Sequence, residues 1–440
     1  MNLIFGNIVD NVTAKKIIKK LDKYILKVKE EKALKAAMVI AACDKLSKQL
    51  SKNDIKLLED MGVPQYKAEQ EFKLLKLMLS KEYLENRLKT ELGTSETYEY
   101  EEEYKPYGYD VKVRHKLIPL GTLFHISAGN VELLAAFSII EGLLSGNINI
   151  VKLASSDDGL SVMLLKKLID IEPLLKSFIF VFDVASDDIK TLKKISRLSD
   201  ALVVWGSDEA IRAARTFAGI NTRIIEWGHK ISFAYVSYDK NIDDIADKEL
   251  YSIAYNICDT NQLFCNSCQG ILLDTSDFNE LRTFAKRFLI ILEKVAKSMP
   301  YKFDMRITAA KRLELYTERL ESLQNDDKLI LQGENVNVIV YKNQDLNTSH
   351  MFRNPWIKAL PKEQLLKALL PYKNYLQTAA LVCPQGKRHE FEDIFSKSGA
   401  VRICSGKNMS LNYCGMPHDG EFSLRRYMKV MSYEVGELAI

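Results

Sequence analysis

Thr122-Leu123-Phe124-His125-Ile126-Ser127-Ala128-Gly129-Asn130 is the stretch from which this 440-residue chain is best read. Five residues with the look of a buried strand run into a small polar turn, and Val131 to Leu144 then carries an amphipathic helical pattern. The same unit recurs downstream. Asn149 to Leu153 reads as a second strand, followed by a helix from about Leu160 to Asp170. Phe178 to Phe182 predicts a third strand and Asp188 to Ile195 a helix; Ala201 to Val204 predicts a fourth, with another helix from about Ser207. Strands alternating with helices over roughly 110 residues predict an α/β fold with a parallel, doubly wound sheet.

Outward from that core the patterning changes. Residues from about 12 to 92 read as helices, with Ala33 to Leu50 and Glu69 to Leu92 carrying apolar residues at three- and four-residue spacing. The style breaks at Gly93-Thr94-Ser95. From Thr97 to Lys116 aromatic and β-branched residues alternate with polar ones around Pro106-Tyr107-Gly108, which predicts a two-stranded ribbon. Beyond Lys230 the alternation resumes with longer helices such as Glu280 to Lys297, the pattern of a second α/β lobe. A chain of this length exceeds one ordinary core, so two lobes are expected.

Composition narrows the function. Hydrophobic residues make up 47% and charged residues 27%, and 62 basic against 58 acidic side chains leave a net charge of only +4. That balance gives no electrostatic footprint for nucleic acid. The lysines between Lys15 and Lys32 alternate with acids and apolar residues, as on a solvated helix face. Asn7 and Asp10 interrupt the opening Met1 to Phe5 before an apolar core develops, so no secretory leader is expected. No apolar run reaches the roughly 20 residues of a membrane helix. Seven cysteines, an odd number, do not form a disulfide framework, and a cytoplasmic location with reduced thiols is expected.

Cys265 is the cysteine that stands out. It lies in Asn261-Gln262-Leu263-Phe264-Cys265-Asn266-Ser267-Cys268, among amide and hydroxyl side chains rather than in an apolar pattern. It could be a nucleophile, a metal ligand or half of a redox pair. Structural zinc wants four ligands, and Cys258, Cys265 and Cys268 supply three with no histidine near in sequence, so no metal is expected. A redox pair with Cys268 fits a CxxC spacing but precedes an apparent strand instead of opening a helix. Three other segments offer companions. Asn130 follows a glycine at the end of a buried strand, where an amide can donate to an oxyanion or simply cap a helix. Gly206-Ser207 forms a strand-to-helix turn that suits a phosphate or an ordinary N-cap. Glu226 and His229 flank Gly228 and could move protons, or lie in a surface turn.

The order and spacing of these segments go further than any one of them. His125-Ile-Ser-Ala-Gly-Asn-Val131, Glu226-Trp-Gly-His-Lys-Ile-Ser-Phe233, Asn261-Gln-Leu-Phe-Cys265 and the tail from Gly415 to Arg426 resemble the LuxC-type acyl-CoA reductases of the aldehyde dehydrogenase superfamily, over about residues 94 to 432. The resemblance implies a Rossmann-type cofactor domain (1–93 and 117–230), a catalytic α/β domain (231–417) and an oligomerisation hairpin (94–116 with 418–440). It implies Cys265 as nucleophile, Asn130 as oxyanion donor beside the Cys265 N–H, and Glu226 as the superfamily's glutamate. Lys152, Gly206 and Ser207 are implied in cofactor binding, with Ser127 and Gly228 beside them. Two departures matter. Ser155 stands where many NAD-using relatives carry glutamate, which favours NADPH because a 2′-phosphate then meets Lys152 without a repelling carboxylate. His229 stands at a position commonly glycine and is a candidate proton donor. The activity implied is reduction of a long-chain fatty acyl group, from acyl-CoA or an acyl-transferring synthetase partner, to the aldehyde. A dimer or tetramer is implied. The rivals are a short-chain acylating aldehyde dehydrogenase, an NADP-dependent aldehyde oxidiser and a non-catalytic acyl-transfer scaffold.

Overall fold

The computed structural model describes all residues except 32, 61, 62, 95–102, 130–132, 155–158, 302, 304, 325, 326 and 436–440. Two compact units emerge, residues 1–228 with 413–440 and residues 229–412.

The first unit contains β1 (Asn2–Ile4), β2 (Asn7–Val9), β3 (Lys112–Pro119), β4 (Thr122–Ile126), β5 (Ile148–Lys152), β6 (Ile179–Phe182), β7 (Ala201–Trp205) and β8 (Arg223–Trp227). Its main sheet has the order β2-β1-β6-β5-β4-β7-β8, parallel from β6 to β8. The chain steps outward from β4 to β6 and then returns to the other side of β4, which places a switch point between β4 and β7. Phe124, Ile150, Phe180 and Val203 are fully buried, as the uninterrupted apolar runs of a sheet covered on both faces require. Each such side chain contributes roughly 1.5–3 kcal/mol on burial. The α/β alternation read from the sequence is borne out, and Asp188 and Ser207 are the caps just outside their helices.

Three features differ from expectation. Glu69 to Leu92 is two helices, Gln65–Leu79 and Lys81–Leu92, because Ser80 takes an extended backbone and its hydroxyl accepts the Tyr83 N–H. The apolar period runs through the break, so periodicity alone missed it. The β1–β2 hairpin was not anticipated; its two-residue turn, Phe5-Gly6, has positive φ at both positions. The strand read before Lys116 is β3, but its ladder is formed with β16 (Met428–Val435), from Met428 opposite Pro119 to Val435 opposite Lys112. Among the described residues the backbone joins the two halves of the expected ribbon at a single bridge, from Tyr104 to Val113, and residues 97–102 of it lie outside the described residues.

The second unit contains β9 (Ile231–Val236), β10 (Cys268–Leu273), β11 (Lys328–Gln332), β12 (Asn337–Tyr341), β13 (Trp356–Ala359), β14 (Leu376–Val382) and β15 (Arg402–Cys404). Their order is β11-β12-β13-β10-β9-β14-β15, parallel except for the β11–β12 hairpin. The long helix expected from Glu280 to Lys297 spans Phe278–Ser298.

One polar thread crosses the first unit's core. His125 on β4 lies 2.7 Å from Ser138 Oγ through Nδ1 and 3.0 Å from Asn149 Oδ1 through Nε2, and Trp205 Nε1 donates to the same serine at 3.1 Å. A Cβ on Gly142 would lie 1.8 Å from Asn149 Oδ1, so the helix Leu134–Leu144 can approach the sheet this closely only with glycine there. Burial pushes His125 down from 6.5 to about 4, against the opposing pull of Asn149 and Glu141. Unfolded, His125 takes up a proton below its ordinary value; folded, it stays neutral to about pH 4. Stability is therefore full above pH 6.5 and falls as pH drops through that window, by about 1.4 kcal/mol per pH unit from this group. Denaturant unfolding at pH 7 and pH 5 checks this: the wild type is expected to lose more stability than His125→Asn, and equal losses contradict it.

Candidate active site

The second unit holds Cys265 in a loop between the helix Asp247–Thr260 and β10. The helix stops because Asn261 and Gln262 both take left-handed backbone, and Met351, Phe352 and Arg353 do the same in the segment that meets them. Non-glycine residues in this region cost about 1 kcal/mol or more each and persist only where the surroundings enforce them. Here the enforcement is visible. Phe352 N–H donates to the Asn261 carbonyl at 2.9 Å, and Asn354 N–H to Gln262 Oε1 at 2.9 Å. The Gln262 amide donates in turn to the carbonyls of Cys268 (3.0 Å) and Gln269 (3.2 Å). The buried Arg353 guanidinium donates to Asn261 Oδ1 at 2.9 Å and to the Cys258 carbonyl at 3.2 Å.

Cys265 itself is half-buried. Its carbonyl accepts the Ser232 hydroxyl at 2.7 Å, and its Sγ accepts the Gln377 Nε2–H at 3.2 Å. Ser232 Oγ also accepts the Thr378 N–H at 3.1 Å. The pairing of β9 shifts register on both sides, between Cys268 and Ile271 and between Leu376 and Ala379. Such irregularities re-aim side chains beside active sites. Cys258 and Cys268 differ in kind: burial pushes their thiols up to about 11 and about 12, and Cys268 Sγ donates to the Gly270 carbonyl inside its own strand. A thiol held protonated in this way is a poor redox partner. Among the described residues no group of three or more His, Cys, Asp or Glu is placed to hold a metal.

The first unit holds the residues expected to meet a cofactor. Ser127 and Lys152 lie at the carboxyl ends of β4 and β5. The Ser127 N–H and hydroxyl both donate to the Lys152 carbonyl at 3.3 Å, and Ser127 Oγ accepts the Ala154 N–H at 3.0 Å. Lys152 Nζ donates to Ser186 Oγ at 2.8 Å, and burial lowers its pKa against the opposing field of Asp183. Gly206 follows β7, its N–H donating to the Trp227 carbonyl at 3.2 Å, and Ser207 caps the helix Asp208–Phe217, the ordinary role weighed for it. Asp208 and Glu209 occupy that helix's first turn. Gly228 sits where a Cβ would press Ile211 Cδ1 at 2.9 Å. Glu226 is engaged: Arg215 Nε and Nη2 donate to its two carboxylate oxygens at 2.6 and 2.8 Å. His229 belongs to the second unit and is exposed, its ring 6.5 Å from that of Tyr375. Asn130 and Ser155 lie outside the described residues.

Sequence reasoning missed Arg215, Ser232, Arg353 and Gln377. Gln377-Thr378 did leave a trace, two polar residues at the head of an apolar strand. Arg215 left none, since its pairing with Glu226 depends on how a helix returns over the sheet edge.

The sequence model of the acyl-CoA reductase (LuxC) family matches residues 31–430. The chain belongs to that family. The resemblance first read over residues 94 to 432 is thereby borne out, and the match takes in most of the helical N-terminal part. A long-chain acyl-protein thioester reductase of Photobacterium phosphoreum is 27% identical over 366 residues, 81% of this chain and 70% of that protein. The corresponding protein 2 of Photobacterium leiognathi is 26% identical over 328 residues, 72% of this chain and 65% of that protein. Among solved structures, glyceraldehyde-3-phosphate dehydrogenase GapN of Methanocaldococcus jannaschii, complexed with NADP, aligns at TM-score 0.70 and 13% identity over 98% of this chain and 96% of its own. Aldehyde dehydrogenase 21 of Physcomitrella patens aligns at 0.70 and 14% over 95% and 90%. The fold of this LuxC-family chain is that of the aldehyde dehydrogenases, as expected.

Arg353 gives the site its most testable support. Arg353→Met leaves Asn261 Oδ1 and the Cys258 carbonyl without that donor, so denaturant unfolding is expected to show a loss of about 3 kcal/mol. Unchanged stability contradicts the clamp.

Proposed function

We propose that this protein reduces a long-chain fatty acyl thioester, carried by coenzyme A or by an acyl-transferring partner protein, to the aldehyde through a covalent thioester on Cys265. The observation that carries this reading is the half-exposed Cys265 thiol on a pinned loop, in a chain whose family is that of acyl-CoA reductases. The names of the relatives, acyl-protein thioester reductases, support the partner-borne acyl group.

The Cys265 thiolate attacks the acyl carbon and expels the donor's thiolate. Asn130 and the Cys265 N–H stabilise the oxyanion, each such donor being worth about 3 kcal/mol in acyl transfer. A nicotinamide cofactor bound to the first unit supplies the hydride. The residues there fit such a group: Ser127 and Lys152 stand beside the β4/β7 switch point, where doubly wound sheets bind dinucleotides. Gly206 and Ser207 open the helix that follows, and Gly228 keeps the neighbouring turn small. Lys152 and Ser155 support NADPH over NADH, because a cation attracts the 2′-phosphate and no carboxylate at residue 155 repels it. Reduction needs no hydrolytic water, and the Arg215 pair agrees with that: a carboxylate with both oxygens engaged is not poised to activate one. Glu226 then orders the cofactor side of the site, and His229 is the proton donor to the thiolate that the acyl donor leaves as.

Residues 1–93 and 117–230 serve the cofactor, 231–417 the acyl chemistry, and 94–116 with 418–440 assembly into a dimer or tetramer. The β3–β16 ladder supports the last assignment, since a two-stranded ribbon is marginal alone and this one exposes Val430 and Tyr433. Among the described residues no helix is long and apolar enough to cross a membrane.

Oxidation of NADPH in the presence of acyl-CoAs of increasing chain length tests the reading. Rates are expected to rise with chain length, exceed those with NADH, and fall at least about 1,000-fold in Cys265→Ala. Aldehyde formation by Cys265→Ala at the wild-type rate overturns it.

A further inference from the structure

We propose that Gln377 is a catalytic residue whose side-chain N–H holds the Cys265 sulfur as a thiolate, both when it attacks the acyl carbon and when it departs. The inference rests on the reading of Cys265 as the acyl-carrying nucleophile.

Gln377 is 6% exposed, at the head of a strand in which Leu376, Ala379 and Ala380 are buried apolar residues. An amide in such a place costs stability unless its bonds are used. One is used on sulfur, at 3.2 Å. A donor aimed at sulfur favours the charged form of the thiol. The amide does not titrate, so it donates at every pH at which the protein is folded.

The contact is built rather than incidental. The register shift between Leu376 and Ala379 lies on the β14 segment that carries Gln377 and Thr378. Ser232 then ties both sides together, accepting the Thr378 N–H and donating to the Cys265 carbonyl. Main chain on one side and main chain on the other thus set the spacing between amide and sulfur, the preorganisation that makes such donors effective.

The bond changes follow. The Cys265 proton passes to solvent before attack. The sulfur adds to the acyl carbon and the carbonyl electron pair moves onto oxygen; as that oxyanion collapses the donor's carbon–sulfur bond breaks, and the donor leaves as its thiolate. After hydride from the reduced nicotinamide reaches the acyl carbon, the thiohemiacetal collapses. Its carbon–sulfur bond breaks, the electron pair returns to the Cys265 sulfur, and the aldehyde leaves. Gln377 meets a thiolate at the start and again at the end.

The ionisable groups on the elements around the loop are Asp247, Lys248, Glu249, Tyr251, Tyr255, Cys258 and Asp259 on the preceding helix, Tyr235 on β9, Cys268 on β10, Arg353, and Arg402 and Cys404 on β15. Burial pushes Cys258, Cys268 and Cys404 up to about 11, 12 and 11, so they keep their protons over the range tested.

The experiment is the rate of iodoacetamide alkylation of Cys265 against pH in the full chain, read by mass spectrometry of its peptide. In Gln377→Leu the midpoint is expected to rise by about one pH unit, a roughly tenfold slower alkylation below it, with the high-pH plateau retained. In Gln377→Glu, an isostere that places a carboxylate by the sulfur, it is expected to rise further. Midpoints equal to wild type in both variants, with only the plateau altered, show a packing role and overturn the proposal. Should Gln377→Leu lack a cooperative unfolding transition, Gln377→Glu decides alone. Aldehyde formation persisting in Cys265→Ala sinks the nucleophile reading instead, and the alkylation midpoints keep the two failures apart.

Discussion

The Ser232 hydroxyl, caught between the Cys265 carbonyl and the Thr378 N–H, is the joint on which the second unit's site depends. One fully buried oxygen connects the Cys265 loop to β14 through the central strand β9. Loss of that oxygen removes a donor from the Cys265 carbonyl and the acceptor of the N–H of buried Thr378, the latter a penalty of about 1–3 kcal/mol. On the far side of the loop, Arg353 and Gln262 hold the helix end and the start of β10. The loop is thus tied at both ends, which is what allows a run of left-handed residues to persist there.

The location of that site explains what could be read in advance and what could not. Buried α/β strands announce themselves as apolar runs, so the order of elements from Thr122 to the helix after Ser207 was legible, although the first helix, read from Val131, spans Leu134–Leu144. Local signals that compete with periodicity were harder. Ser80 divides a helix whose apolar face continues across it, and Phe5-Gly6 makes a hairpin too short to show alternation. Pairing between distant segments left no local mark: the grouping of 94–116 with 418–440 came from the resemblance, and nothing in the residues themselves signalled the β3–β16 ladder. In the site, Cys265 declared itself by polar surroundings, but its supports did not. Ligands in open α/β sheets are sought at the carboxyl ends of strands. Ser232, Cys268 and Gln377 instead stand at the amino ends of β9, β10 and β14. That rule led to Asn130 and away from Gln377.

In the first unit, the same physics gives a different kind of site. The switch point between β4 and β7 is created by the order in which strands are added; Ser127 and Gly206 follow the two strands that flank it, and Lys152 ends the neighbouring β5. The Arg215–Glu226 pair engages both oxygens of a carboxylate that the sequence offered as a proton carrier. Its guanidinium is largely exposed, so the pair adds little stability; what it does is occupy the carboxylate. A reductase loses nothing by that, whereas an enzyme that hydrolyses its thioester would.

The central claim is that Cys265 carries the acyl group. Its most direct test is peptide mapping of the protein after incubation with a long-chain acyl-CoA and no nicotinamide cofactor, followed by addition of NADPH. The account predicts an acyl adduct on the Cys265 peptide, labile to hydroxylamine as a thioester, that disappears as aldehyde forms when NADPH is added. An adduct on another residue, or aldehyde formed from protein that never acylates Cys265, would contradict it.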